Sequence, residues 1–164
     1  MSARIEAAVL VPLFEGPRGL TAVFTERHAD LRKHPGEISF PGGRQDPGET
    51  LEETALREAE EEIGLARTDV TVTGTLPPID TFVSGYRIHP FVATIPAGVA
   101  WRLQEREVAQ VLELAVADLV AGHRLERLWR KGVPVRTPTY TVDGHLVWGA
   151  TARIVQSLLA SMPT

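Results

Sequence analysis

The order of apolar and polar positions along the chain predicts a mixture of strands and helices. Two apolar runs, residues 7–14 and 20–25, flank five residues rich in glycine and proline, and together they predict a β-hairpin with a five-residue loop. Residues 26–36 are polar and mostly charged, which is typical of an exposed loop, and residues 37–40 predict a short strand.

The clearest predicted helix covers residues 50–63. It begins just after Pro47-Gly48 and ends at Gly64, and its interior is rich in alanine, leucine, glutamate and arginine, all good helix formers. An apolar stripe at helical spacing, which ends at Ile63, predicts that one side of this helix packs against the protein body.

The second half of the chain predicts further strands and a C-terminal helix. Residues 108–120 fit either a helix or a short strand followed by a helix. Asp143-Gly144 indicates a tight turn between two strands. The other predicted elements are strands over 70–76, 87–95, 133–140 and 145–148, and a helix over 151–159. Because strands and helices are mixed without a regular alternation, we predict an α/β or α+β sandwich with a mixed β-sheet.

Length and composition agree with one globular unit. The 164 residues contain no repeat, low-complexity tract or long linker, so we predict a single domain over residues 1–164. Apolar residues make up 43% and charged residues 23%, as in ordinary globular proteins. No apolar run approaches the roughly 20 residues of a membrane helix. The chain also lacks a basic leader and cysteines, which predicts a cytoplasmic protein without disulfides or thiolate metal sites.

The formal net charge of −4 narrows the classes of partner. A mildly acidic chain is a poor candidate for binding a nucleic-acid backbone along a broad face, so we predict no nucleic-acid partner. A small anionic ligand remains compatible with this charge, provided that a metal ion or a local basic patch compensates.

Three carboxylates on the predicted helix indicate a metal site. Glu58, Glu61 and Glu62 stand at positions i, i+3 and i+4, which places them on one face about one turn apart. Like charges at this spacing cost a few tenths of a kcal/mol per pair. A divalent cation would remove that cost, and Mg²⁺ suits it because Mg²⁺ takes carboxylates, waters and phosphate oxygens. The alternative is an ordinary solvated acidic face.

The residues around this helix resemble a known motif. Gly43, then Glu49, then the run from Arg57 to Leu65 have the identities and spacing of the Nudix box. Ala59 is smaller than the aliphatic residue usual at its position. The resemblance implies an α/β/α sandwich with a mixed sheet and an enzyme that hydrolyses a diphosphate with Mg²⁺ or Mn²⁺.

The same resemblance implies roles for the charged residues of the helix. Glu61 and Glu62 would be metal ligands. Glu58 would be a further ligand or the base that activates water. Arg57 would orient Glu58 through a charge-assisted hydrogen bond.

Three residues outside the helix are implied as well. The carbonyl of Gly42 would complete the metal site. Glu49 would support the metal ligands without binding the metal itself. An acid outside the box often contributes in this family, and Glu107 is the candidate here; an ordinary surface glutamate is an equal alternative.

The segment before the box narrows the range of substrates that the resemblance implies. Residues 25–27 and 31–36, together with Phe40-Pro41-Gly42-Gly43, resemble the extra motif of the coenzyme A diphosphatase branch of the Nudix family. Later stretches, over 89–96, 107–111 and 147–152, also resemble that branch. Two departures are Val23-Phe24, where the branch usually has two leucines, and His28, where it often has serine. The implied substrate is coenzyme A or a thioester of it.

Basic residues before the box favour a substrate rich in phosphate. Arg27, Arg32, Lys33 and His34 lie within eight residues of an otherwise acidic chain and could bind phosphates, including the 3′-phosphate of coenzyme A. We therefore predict substrate contacts from Arg27, Arg32, Lys33 and Phe40, with a charged surface loop as the alternative. A second basic cluster lies at Arg124, Arg127, Arg130 and Lys131, and we interpret it as ordinary surface.

Other functions stay open at this point. A Nudix hydrolase could act on ADP-ribose, a dinucleotide or an oxidised nucleotide instead. A non-catalytic nucleotide sensor is a further alternative, disfavoured because every box carboxylate is present. A homodimer is left open as the assembly.

Overall fold

A computed structural model describes residues 3–29, 36–81, 84–130 and 132–163. Within them the chain forms eleven strands, three α-helices and a 3₁₀ turn at Arg67–Asp69. In order these are β1 Ile5–Gly16, β2 Gly19–Arg27, β3 Ile38–Ser39, β4 Gly42–Arg44, α1 Leu51–Ile63, β5 Thr71–Thr75, β6 Ile79–Asp80, β7 Tyr86–Thr94, β8 Val108–Ala115, α2 Val116–Ala121, β9 His123–Arg130, β10 Val133–Val142, β11 His145–Val147 and α3 Gly149–Ser161.

The larger of two sheets is mixed. Its main path runs β3-β2-β1-β7-β5; β4 pairs with β1, β6 with β7, and β8 with β2. Strands β1 and β7 are parallel, and the other pairs are antiparallel. The smaller sheet has the order β11-β10-β9. The prediction of a mixed α+β sandwich is therefore confirmed.

Strand β1 is buried on both faces, which explains its nearly continuous apolar run. Successive side chains of a strand point to opposite faces. Ala8 and Leu10 pack towards α1, whereas Val11 and Leu13 pack towards α3 and the smaller sheet. The two cores therefore lie on opposite sides of one strand.

Helix α1 is fixed at both ends. Its N-cap Thr50 accepts a hydrogen bond from the Glu53 amide (3.1 Å), and the Glu53 carboxylate accepts one from the Thr50 amide (2.9 Å). Gly64 ends the helix with φ 72°, a conformation that favours glycine. The amide of Gln104 donates to the Glu62 carbonyl (2.9 Å), which holds the end of the helix against the segment before β8.

Several predictions need correction. The first hairpin turns through Pro17-Arg18 only, because Gly16 pairs with Gly19 and the strands continue past their apolar runs. The predicted loop over 26–36 begins later than expected, since β2 extends to Arg27. Residues 108–120 form a strand followed by a helix, the second of the two alternatives.

Strand β9 has no counterpart among the predicted elements. Its described side chains lie largely in solvent, so the alternation of buried and exposed positions that would reveal it is absent. Trp129 and Trp148 are well exposed. No helix in the described ranges is long and apolar enough to cross a membrane.

Candidate metal and catalytic site

Strand β4 brings two glycines of the box beneath helix α1. It pairs antiparallel with β1, so that Gly43 lies opposite Ala8 and Gly42 opposite Val9. A Cβ atom on Gly43 would lie 2.7–2.9 Å from the carboxyl atoms of Glu58, and one on Gly42 would lie 2.3 Å from the Ala8 carbonyl oxygen. Both approaches are closer than a side chain allows, so glycine lets the strand reach the carboxylates.

Arg57 lies at the centre of the acidic cluster. Its Nε and Nη2 donate to the two carboxylate oxygens of Glu49, at 3.1 and 2.8 Å. Its Nη1 donates to Glu58 (2.8 Å) and to Glu61 (3.3 Å), and Nη2 also donates to the Arg44 carbonyl (3.2 Å). One planar guanidinium therefore holds three acids and the strand β4 in a fixed arrangement.

Glu49 is held in its charged form. Besides Arg57, it accepts hydrogen bonds from the Asp46 amide (2.8 Å) and the Thr54 hydroxyl (2.7 Å). The hydrogen bond from Arg57, followed by that from the Asp46 amide, lowers the pKa of Glu49 to about 2. Glu49 thus ties the loop before α1 to the helix. The sequence did not single out Thr54, which is buried in the helix one turn ahead of Arg57.

Glu58 and Glu62 lie in a very different environment. The pKa of Glu62 is raised to about 8, chiefly by burial and also by the charges of Glu58 and Glu107. Two contacts oppose this shift: the Gly42 amide donates to Glu62 Oε1 at 2.9 Å, and Arg27 contributes its positive charge. Burial likewise raises the pKa of Glu58, against the hydrogen bond from Arg57.

The structure brings Glu107 and Arg27 to the box. Glu107 lies in the turn before β8, and its charge raises the pKa values of both Glu58 and Glu62. Its carbonyl accepts a hydrogen bond from the His28 amide (3.1 Å) at the end of β2. Arg27 is the last residue of β2 and pairs with Val108. Residues distant in sequence therefore meet at the carboxylate face of α1.

These residues fit a divalent cation. Their donors are carboxylate oxygens, which Mg²⁺ and Mn²⁺ prefer. Glu58 and Glu62 are acids with raised pKa values beside a third acid, Glu107, and a cation would stabilise all three in their charged forms. Among the described residues no three acids or histidines converge as a ready-made cage. Glu61 accepts a hydrogen bond from Arg57, and Glu62 accepts one from the Gly42 amide. The hydrogen bond to Glu62 comes from the Gly42 amide, and the role of its carbonyl stays a prediction.

Among the predicted substrate contacts, Phe40 is buried in the core, and two others lie outside the described residues. Phe40 is 3% exposed and stacks on Phe24, with ring centroids 4.4 Å apart, so its ring supports the core below the loop. Its contact with a substrate stays a prediction. Arg32 and Lys33 lie outside the described residues.

Replacement of Gly43 by alanine tests the close approach of β4. The added methyl group would displace the Glu58 carboxylate, and we expect Gly43→Ala to weaken Mn²⁺ binding about tenfold or more. Calorimetric titration with Mn²⁺ measures this. Gly74→Ala is the matched control, because a Cβ at Gly74 meets no atom within 4 Å. Equal affinities in the two variants would contradict the assigned contact.

The raised pKa of Glu62 predicts a pH dependence of stability. The carboxyl ionises near its ordinary pKa of 4.5 when unfolded and near 8 when folded, so the folded state binds the extra proton between these values. The free energy of unfolding of the metal-free protein should therefore fall as the pH rises from about 5 to about 8. Urea denaturation in the presence of a chelator measures the slope. A similar slope in Glu62→Gln would assign the effect to other groups.

Comparison with known proteins identifies the family. A model of the NUDIX domain matches residues 4–131. The Nudix hydrolases NudL of Escherichia coli O6:H1 and Salmonella paratyphi B are 40% and 39% identical to this chain, each over 93% of it and 80% of their own length.

Solved structures with low identity share the fold. A Nudix hydrolase of M. smegmatis, RenU, has a TM-score of 0.68 at 18% identity, covering 100% of this chain and 91% of its own. The Nudix domain of Shewanella oneidensis NrtR, solved with ADP ribose, has a TM-score of 0.62 at 15% identity. The match covers 98% of this chain and 89% of that domain's chain. The domain match and the identity to NudL together establish that this chain belongs to the Nudix hydrolases, enzymes that cleave diphosphate anhydride bonds and generally use divalent metal ions such as Mg²⁺ or Mn²⁺.

Proposed function

We propose that this Nudix hydrolase cleaves the diphosphate of coenzyme A or of its thioesters. The products would be 3′,5′-adenosine diphosphate and 4′-phosphopantetheine or its acyl form. The observation that carries the proposal is the position of Arg27. It belongs to the segment that resembles the coenzyme A diphosphatase branch, and its charge acts directly on Glu62 of the box. Arg27 of that segment is therefore close enough for its charge to act on a carboxylate that would perform the chemistry.

Glu58 is the proposed base. Burial raises its pKa, which makes its carboxylate a stronger proton acceptor for an attacking water molecule. The hydrogen bond from Arg57 fixes the direction of that carboxylate, and Gly43 leaves room for it. Glu107 is close enough for its charge to act on Glu58 and is the proposed supporting acid.

Glu61, Glu62 and the Gly42 carbonyl are the proposed metal-holding groups, together with Glu58. A bound Mg²⁺ or Mn²⁺ would neutralise charge on the phosphate oxygens and lower the pKa of a bound water. Glu49 takes no direct part in this proposal; it fixes Arg57 from the side away from Glu58.

A substrate panel tests the proposal. The protein is incubated with Mg²⁺ or Mn²⁺ and with coenzyme A, acetyl coenzyme A, ADP-ribose, diadenosine tetraphosphate or 8-oxo-dGTP, and the products are identified by mass. We expect 3′,5′-adenosine diphosphate from the coenzyme A substrates at the highest kcat/KM. Preferential cleavage of another substrate would reject the coenzyme A assignment and leave the Nudix family assignment intact. No cleavage of any diphosphate would favour the nucleotide sensor.

The role of Glu58 is tested by the isosteric variant Glu58→Gln. Removing a positioned base lowers turnover by at least about 100-fold, so we expect a loss of that size in kcat with the fold retained. Steady-state assays on coenzyme A and thermal unfolding measure the two effects. Glu60→Gln is the matched control, because Glu60 lies in the same acidic run but is exposed and pairs with Arg67. Near-normal turnover in Glu58→Gln would remove it from the mechanism.

The position of Arg27 predicts which phosphate it contacts. Because its positive charge acts on Glu62 of the box, the guanidinium of Arg27 is the proposed contact of the diphosphate. We therefore expect Arg27→Ala to lower kcat/KM by similar factors for coenzyme A and for dephospho-coenzyme A, which share the diphosphate. Arg32→Ala and Lys33→Ala serve as comparisons. A much greater loss on coenzyme A than on its dephospho form would instead assign Arg27 to the 3′-phosphate.

A further inference from the structure

The hairpin of β9 and β10 exposes apolar side chains that the hydrolase chemistry does not use. We call residues 123–136 the basic ribbon. Leu125 is 57% exposed, Trp129 69%, Val133 58% and Val135 42%. Leu125 and Trp129 share one face of the hairpin, and Val133 and Val135 share the other. Large exposed apolar side chains that adjoin on one face mark an interaction surface more often than scattered ones do. The ribbon is anchored at its base, where Tyr140 is buried in the core.

The basic ribbon also concentrates positive charge. It contains five of the chain's seventeen lysines and arginines but one of its 21 aspartates and glutamates, which gives it a net charge of +4 against −8 for the rest of the chain. Because the surrounding protein is acidic, this charge separation favours an anionic partner at the ribbon.

The register of the hairpin places two of these charges side by side. Arg127 pairs directly with Arg136, and Trp129 pairs with Pro134 two residues further along. Directly opposite residues share a face, so both pairs lie on the same face of the ribbon. Two directly opposed like charges destabilise a strand pair. An anionic group between the two guanidinium groups would relieve that repulsion.

We propose that the basic ribbon binds the surface of an anionic phospholipid membrane. Phosphate headgroups would contact Arg127 and Arg136, and Trp129 would enter the interfacial layer, where indoles are enriched because one end of the ring is apolar and the other polar. Basic residues close to an anionic leaflet each strengthen adsorption. This contact is peripheral and requires no spanning helix.

Other occupants suit the ribbon less well. A nucleic acid would use its charges but would leave in water the aliphatic side chain of Leu125, which shares the face of Arg127 and Trp129. A second copy of this chain could pair edge to edge through β9. That pairing would bring two ribbons of the same positive charge together, and like charges on edge strands oppose such pairing. A lipid surface accommodates both the charges of this face and its two large apolar side chains, Leu125 and Trp129.

The test is co-sedimentation of the full chain with vesicles, which needs no knowledge of the substrate. Vesicles of phosphatidylglycerol mixed with phosphatidylcholine are compared with phosphatidylcholine alone, at low and high salt. We expect binding to the anionic vesicles, weakened by salt. The double variant Arg127→Gln/Arg136→Gln should lower the partition coefficient about 30-fold, from the contribution of two basic residues. Trp129→Ala should lower it about tenfold.

Matched controls distinguish the effect of the ribbon's own residues from the effect of removing any exposed charge or indole. Arg67→Gln/Arg102→Gln removes two exposed charges elsewhere, and Trp148→Ala removes another exposed indole. Both should bind vesicles as the parent does. The proposal is overturned if the parent does not bind anionic vesicles, or if the ribbon variants bind no worse than their controls. It is also overturned if Trp129→Ala converts a dimer to a monomer in light scattering, or if only single-stranded DNA is bound.

Discussion

The arrangement of the site depends on one guanidinium group surrounded by acids. Arg57 donates to Glu49, Glu58 and Glu61 and to the carbonyl of β4, so it joins the loop, the helix and the sheet at one point. Without that cation the acids of α1 would repel one another across one turn of helix. Lysine could supply the charge but not the planar set of donors that reaches both oxygens of Glu49 while holding Glu58.

The acids around Arg57 are divided into two groups by their surroundings. Glu49 accepts four hydrogen bonds from three residues, which lower its pKa to about 2 and keep it charged at neutral pH. Glu62, buried and near other acids, has its pKa raised to about 8. The same type of side chain thus serves as a structural anchor at Glu49 and as a candidate cation ligand at Glu62. Burial and hydrogen bonding, rather than residue type, determine which role each glutamate takes.

Much of the site could be predicted from sequence because its signals are local. The cap at Thr50, the glycine at 64 and the spacing of the glutamates fix α1 within a residue of its predicted limits. Glu107 was harder, since only the antiparallel pairing of β8 with β2 and the contact of its preceding turn with α1 bring it near the box. Strand β9 gave no periodic signal because solvent surrounds it. The burial of Phe40 depends on the ring of Phe24, which stacks on it but lies on another strand. The motif around Phe40 therefore could not reveal that burial.

The parallel pairing of β1 with β7 has a consequence for how the enzyme is made. Ile5 pairs with Tyr86, 81 residues later, so β4 and α1 both belong to the connection between two parallel strands, which covers residues 17–85. During synthesis from the N-terminus, the box leaves the ribosome well before β7 does. Until β7 arrives, one side of β1 lacks its neighbour and the core beneath α1 lacks Ala93 and Ile95. Because burial raises the pKa values of Glu58 and Glu62 in the folded protein, we expect both carboxyls to stay hydrated until that core closes. A nascent chain therefore carries the complete motif but gains its chemistry late, when a contact distant in sequence closes the fold.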